Sequence, residues 1–309
     1  MAYYSGSAAS ITALRTALLT HAQADGWTLT GDVLSKSGVY FQVKETATNI
    51  TCLGCESNAV ANPAPETVNI GLIYYHPTYG ERNISFPCTY EVFGFAQELY
   101  LVVNYGVASY QWMAFGKSAV QGLPGQGGWC GASAGSTYAG GIVSLLPTVQ
   151  MISPTTGGSS SVSSVCSALF WLSFGTYQAA RNCWVNHGFD GHGWMWGGAT
   201  NYSPIGIRSL VPLISTQPNA WNSEAVLLPI RAWKERPDYK ASMVADLANA
   251  RHVRIDNFTP GDILTIGSDK WKVFPWYIKN TTYRDGPGGA PNNYEHTGTL
   301  GWAIKYEGP

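Results

Sequence analysis

With 309 residues the chain is long enough for one large domain or two ordinary ones, and its 45% apolar content is normal for a protein that buries a real core. Charged residues reach only 12%, against a usual ~25%, which is too few to coat a free monomer of this size in the ordinary way. Net charge is −1, and the densest basic group (Arg231, Lys234, Arg236, Lys240) is interrupted by Glu235 and Asp238, so no direct nucleic-acid binding is expected.

The first element is a helix. Ser10 is placed to cap it, and Ile11, Leu14 and Leu18 recur at three- and four-residue spacing with Ala17 and Ala22 beside them. Asp25-Gly26 ends it, because glycine enters the left-handed region without a Cβ penalty. Trp27 to Thr30, a partner beginning at Val33-Leu34, and Val39 to Val43 then alternate as strands, giving a small antiparallel meander. Val68 to Tyr74, Tyr90 to Phe93, Glu98 to Asn104 and Tyr110 to Phe115 follow as strands. The run from Leu99 to Val103 is continuously apolar, which predicts a central strand covered on both faces.

Residues 120–225 differ in character. Gly122 to Gly140 is glycine-rich, Pro154 to Ser164 reads as a loop or linker, and Val165 to Phe174 reads as a short strand or helix. Regular structure returns with a strand over Ala225 to Ile230, where Pro229 predicts an edge or bulge. A short helical turn over Ser242 to Leu247 is expected, then strands at His252 to Ile255, Ile263 to Ile266, Trp271 to Phe274 and Thr299 to Tyr306. The fold class is therefore α+β, mainly antiparallel β with one N-terminal helix and a long loop-rich central insertion. Residues 1–120 and 225–309 form the core and pack together; residues 121–224 are a Gly/Trp-rich insertion or arm.

Five short patterns invite a chemical reading. Gly131-Ala-Ser133-Ala-Gly135 fits a hydrolase nucleophile elbow, which needs a strand, a tight turn and a helix; no clear strand precedes it and no regular helix follows. Cys130 after Gln126-Gly-Gly-Trp129 has some likeness to a thiol-protease nucleophile, but Gln126 is only four residues ahead and a His partner would have to arrive by folding. Gly116-Lys117-Ser118 lacks the glycine five positions earlier that a phosphate loop requires; Gln111 stands there. Cys52-Leu-Gly-Cys55 leaves plain thiols, a disulfide or half a zinc site open, with Cys88 and His76 as distant completions. His187-Gly-Phe-Asp190-Gly-His192 is either a metal cluster or a glycine/aromatic packing loop. In each the structural reading is preferred, so no catalytic residue, metal or cofactor is expected.

The N-terminus has neither a basic region nor an apolar core, so no signal peptide is expected, and no run approaches the ~18 apolar residues of a membrane span. Synthesis in the cytoplasm would leave Cys52, Cys55, Cys88, Cys130, Cys166 and Cys183 as thiols. The 12 Trp and 18 Tyr suit protein interfaces, where large contact area costs little rotamer freedom. Between residues 122 and 221 only Arg181, Asp190 and Arg208 are charged, so Trp129, Trp171, Trp194, Trp196 and Trp221 are the candidate interface residues.

Three groups of strings carry a resemblance. They are Ala2-Tyr-Tyr-Ser-Gly6 with Asp25-Gly-Trp-Thr-Leu-Thr-Gly-Asp-Val-Leu-Ser-Lys36; Glu98 to Tyr105 with Tyr110 to Ser118 and Leu123-Pro-Gly125; and Arg251 to Asn257 with Trp271 to Tyr277 and His296 to Ile304. Over roughly residues 1–125 and 225–309 the chain resembles a family of virion structural proteins of tailed bacteriophages. The resemblance implies a non-enzymatic subunit of the particle, in the neck or collar between head and tail, with a baseplate or fibre-attachment position as the alternative. It implies a symmetric ring of copies in contact with portal or connector, tail terminator, and tail tube or sheath proteins, and no membrane. Two readings of another class remain: a receptor- or glycan-binding module, and a virion-associated hydrolase.

Overall fold

The structure is a computed structural model that describes residues 1–76, 80–135, 143–144, 168–170, 182–195, 225–238, 240–255, 257–277, 279 and 300–309. The chain opens with β1 (Ala2–Ala8) and α1 (Ile11–Ala24). Five strands follow: β2 (Thr28–Thr30), β3 (Val33–Lys36), β4 (Val39–Glu45), β5 (Ile50–Cys55) and β6 (Val68–Ile70). Next come β7 (Leu72–His76), β8 (Gly80–Asn83), β9 (Cys88–Gly94), β10 (Glu98–Gly106) and β11 (Ser109–Lys117). Residues 121–224 contribute β12 (Gly128–Ala132), β13 (Ala134–Gly135), β14 (Val143–Ser144) and β15 (Cys183–Val185). The C-terminal part supplies β16 (Leu228–Arg236), β17 (Lys240–Arg254), β18 (Ile263–Ile266), β19 (Asp269–Pro275) and β20 (Leu300–Lys305).

The helix forms for the reasons its sequence gives. Ser10 is extended, with φ of −160°, and its Oγ accepts the Ala13 amide at 3.1 Å. Ile11, Leu14, Leu18, Leu19 and Ala22 make one buried stripe. At the other end the Asp25 amide donates to His21 and Ala22, and Gly26 turns away at φ +84°.

Among the described residues all strand pairing is antiparallel. The central sheet runs β1-β9-β10-β11-β12-β15, a second sheet runs β13-β6-β5-β4-β3-β2, and the C-terminal sheet runs β16-β17-β20-β19-β18, with a small β14-β7-β8 sheet beside them. The central sheet is the middle layer. On one face the Phe115 ring meets Phe41 of the second sheet at 5.0 Å and Trp27 at 5.2 Å. Helix α1 fills the same side, with His21 stacked on Tyr4 at 4.3 Å. On the other face Trp112 meets Trp302 at 5.5 Å and Trp276 at 5.4 Å. Strand β10 therefore lies between two apolar layers, which is why Leu99 to Val103 is apolar without alternation and fully buried.

Ser242 to Leu247 is not helical. It is the middle of the 15-residue β17, with Met243 opposite Trp233 and Asp246 opposite Arg231. Met, Ala and Leu favour a helix weakly; burial of Val244, Ala245 and Leu247 against neighbouring layers and pairing with β16 outweigh that preference. Pro229 sits on edge strand β16 beside a register shift, as its missing amide requires. Residues 154–164, and all of 165–174 but 168–170, lie outside the described residues.

Candidate functional site

The glycine-rich tract has a structural explanation. At Ser133 the chain leaves the central sheet, where it ran as β12, and enters the second sheet as β13. A strand does precede Ser133, but another strand follows it, so the strand–turn–helix of a nucleophile elbow does not form. The Ser133 side chain is buried, and its Oγ accepts the Trp112 amide at 2.8 Å while the Ser133 amide donates to the Trp112 carbonyl at 2.9 Å. Gly131 is there for space: a Cβ would lie 2.6 Å from Leu169. Gly125 and Gly188 let two loops touch, since a Cβ on Gly188 would lie 2.2 Å from the Gly125 nitrogen.

The thiols are likewise embedded. Cys130 faces Phe115 and Trp184 in the ladder and is fully buried. Cys52 lies against it, and burial first, then the neighbouring Cys130, pushes the Cys52 thiol well above its ordinary value. Cys52 and Cys55 are three residues apart on extended β5, a separation of ~10 Å, too long for a disulfide. Cys55 instead donates to the Ser57 carbonyl at 3.4 Å. Cys52, Cys55, Cys88, Cys130 and Cys183 are all buried free thiols, and Cys166 lies outside the described residues. Among the described residues no group of three His, Cys, Asp or Glu side chains converges as metal ligands would. Lys117 donates to the Ser37 carbonyl at 2.9 Å, and Ser118 Oγ accepts the amides of Val120 and Asp246, so neither faces a phosphate site.

The 187–192 loop separates its polar groups. His187 is buried, its Nδ1 accepts the Phe189 amide at 2.9 Å, and desolvation lowers it to about 4, so it is neutral near pH 7. Asp190 turns the other way at φ +56° and pairs with Arg236 at 2.9 Å, while the Arg236 guanidinium lies 4.6 Å over the Phe189 ring. His192 lines an open cleft of about 430 Å³ with Glu56, Asn62, Pro63, Pro65 and Trp194. The Glu56 carboxylate there accepts Asn186 Nδ2 at 2.8 Å and Asn62 Nδ2 at 2.7 Å. Its remaining lone pairs are available to a further donor. Trp194 gives no stacking platform: it is buried, its ring packs on Gly54, and its Nε1 donates to the Asn62 carbonyl at 3.0 Å.

Of the five candidate interface tryptophans, Trp129 is fully buried between Tyr100 and Phe170, and Trp194 closes the cleft from within. Neither has surface left for a neighbour. Trp171, Trp196 and Trp221 lie outside the described residues.

One buried group was not legible as more than a strand residue. Glu98, at the start of β10, is sealed from solvent. Its oxygens accept the amides of Ala248 at 2.9 Å and Asn249 at 3.1 Å, Asn249 Nδ2 at 2.7 Å and the Tyr100 hydroxyl at 2.9 Å. The signal was a lone acid at the head of an apolar run. These bonds fall where the β16–β17 register shifts, so the carboxylate satisfies amides the ladder leaves open.

No protein-family model matches the chain, and no curated protein matches it.

Proposed function

We propose that this chain is a structural subunit of a tailed-phage particle, a neck or collar component that joins head to tail, with a baseplate or fibre-attachment position as the alternative. The observation that carries the reading is the union of the two stretches that bear the resemblance. Trp112, from the first, packs on Trp276 and Trp302, from the second, and Glu98 binds the backbone of Ala248 and Asn249. The resembling strings thus belong to one folded body, not to two unrelated modules. The polar groups that suggested chemistry support the same reading, because Ser133, Cys130 and His187 are spent on backbone bonds and packing.

In this proposal the partners are further copies in a symmetric ring and the portal or connector, tail terminator, tail tube or sheath proteins. The chain resides in the virion, makes no direct contact with nucleic acid or membrane, and carries no cofactor. Incubating the purified protein with peptidoglycan and ester substrates, beside Ser133→Ala and Cys130→Ala, tests the hydrolase class. Turnover that either substitution abolishes would overturn the structural reading. A glycan-binding screen tests the receptor class in the same way, through retention that depends on Glu56.

A further inference from the structure

We propose that Cys52 and Cys130 are a latent cross-link: in oxidising surroundings they close a disulfide that ties the second sheet to the central sheet. The inference goes beyond the particle reading and rests on the fold alone.

The two residues face each other across the sheets. Side chains alternate along β12, so Gly128, Cys130 and Ala132 share one face. A Cβ on Gly128 would lie 3.3 Å from Val39 Cγ1 and 3.6 Å from Phe41 Cζ, so that face is the one turned toward the second sheet. Cys130 stands opposite Phe115, whose ring meets Phe41 at 5.0 Å on the same side. On β5, Cys52 stands opposite Val43 on one side and Val68 on the other. Val39, Phe41 and Val43 are the buried face of β4, and Cys52 shares it. Both thiols are fully buried, and they hydrogen-bond to each other.

The path of the chain draws the sheets together at this point. After β12 it crosses at Ser133 into β13, where Gly135 pairs with Val68, and Val68 pairs in turn with Cys52. Sheets that share a continuous strand converge at the corner where it crosses. Cα atoms of β5 and β12 come within 8 Å of one another, against ~10 Å between ordinary packed sheets and close to the ~7 Å that a disulfide can span. Among the described residues the other thiols are committed elsewhere. Cys55 has the opposite phase on β5, stands opposite Tyr40 and donates to the Ser57 carbonyl. Cys183 stands opposite Gly131, on the far face of β12, and accepts the Phe170 amide at 3.4 Å. Cys88 is opposite Ala8 on β9.

A small disulfide such as oxidised glutathione supplies the oxidant. The Cys130 thiol gives up its proton, attacks one sulfur of the small disulfide and releases a glutathione thiolate. Cys52 gives up its proton in turn, attacks the Cys130 sulfur and releases the second. The two protein sulfurs are oxidised, the small disulfide is reduced, and the two protons end on the released thiolates. Burial keeps the Cys52 thiol protonated in the closed fold, so exchange proceeds through opening of the corner. The bond joins residues far apart in the chain, where a cross-link restricts the unfolded state most.

Holding the full chain in oxidised glutathione at its urea midpoint, then removing the urea, tests this. We expect a product lighter than the reduced chain by two hydrogen atoms and a peptide map that links Cys52 to Cys130. The urea midpoint should rise on oxidation and return on reduction. Cys55→Ala should still form the bond, and Cys130→Ala should not. Free thiols at Cys52 and Cys130 after the cycle, glutathione left on Cys130, a map that links either residue to another cysteine, or an oxidised chain with a lower urea midpoint would each overturn the proposal.

Discussion

The Glu98 carboxylate and the Ala248 amide meet at 2.9 Å across the boundary between the central and C-terminal sheets. Burial raises the Glu98 carboxyl above its ordinary 4.5, against the pull of its hydrogen bonds to Ala248, Asn249 and Tyr100. The folded value exceeds the unfolded one, so this contribution to stability is full below pH 4.5 and is lost as pH rises through the folded value. Glu98→Ala removes the acceptor from four donors and should cost ~3 kcal/mol in urea unfolding, more than a single neutral hydrogen bond. The variant should also lack the wild-type decline above pH 4.5. A cost below ~0.5 kcal/mol would show that the sheets do not depend on this contact.

His187 and His252 work in the opposite direction. Desolvation holds them at about 4 and about 3, below the ordinary 6.5. Their contribution is full above pH 6.5 and is lost as pH falls toward those values, because the unfolded chain takes up protons first. Urea midpoints should therefore fall on acidification below pH 6.5. His252→Phe keeps a ring beside Trp276 and removes one titration, so its midpoint should fall less steeply. Equal slopes in the two proteins would contradict this account.

Trp302 stacks on Trp276 at 4.8 Å and also touches Trp112 and Tyr100. Trp302→Ala should cost ~3–5 kcal/mol, the range for deleting a large buried aromatic. Val107, fully exposed at the β10–β11 turn, should tolerate Ala within ~0.5 kcal/mol. Thermal unfolding of the two variants side by side separates a shared core from two independent modules, since modules would lose cooperativity instead of midpoint.

Ser133→Ala leaves the buried Trp112 amide without its side-chain acceptor, so a loss of ~1–3 kcal/mol is expected. A nucleophilic serine would behave differently: stability would hold and a hydrolytic activity would vanish. Calorimetry and an ester assay on the same preparation distinguish these outcomes.

The legible parts of the fold were those with local periodicity. The Ile11, Leu14, Leu18 stripe, the Leu99 to Val103 run and Pro229 each state a local requirement, and each is met where it was expected. β1 and β12 were not foreseen, because Gly, Ser and Cys in Ala2–Ala8 and Gly128–Ala132 give no clear alternation. Their strand state comes from non-local ladders. Ser242 to Leu247 was misread for the same reason. The loops at Gly125 and Gly188 look permissive in sequence but are close contacts between distant segments. Glu98 could not be matched to Ala248 and Asn249, 150 residues away, by any pattern in the chain.

The central claim, a multicopy structural subunit of a virion, is tested most directly by quantitative mass spectrometry of purified particles from a phage that encodes this chain. The account predicts that the chain remains with the particle through density-gradient purification and is present in many copies, in a fixed ratio to the portal protein. Absence from intact particles, or a single copy in each, would contradict it.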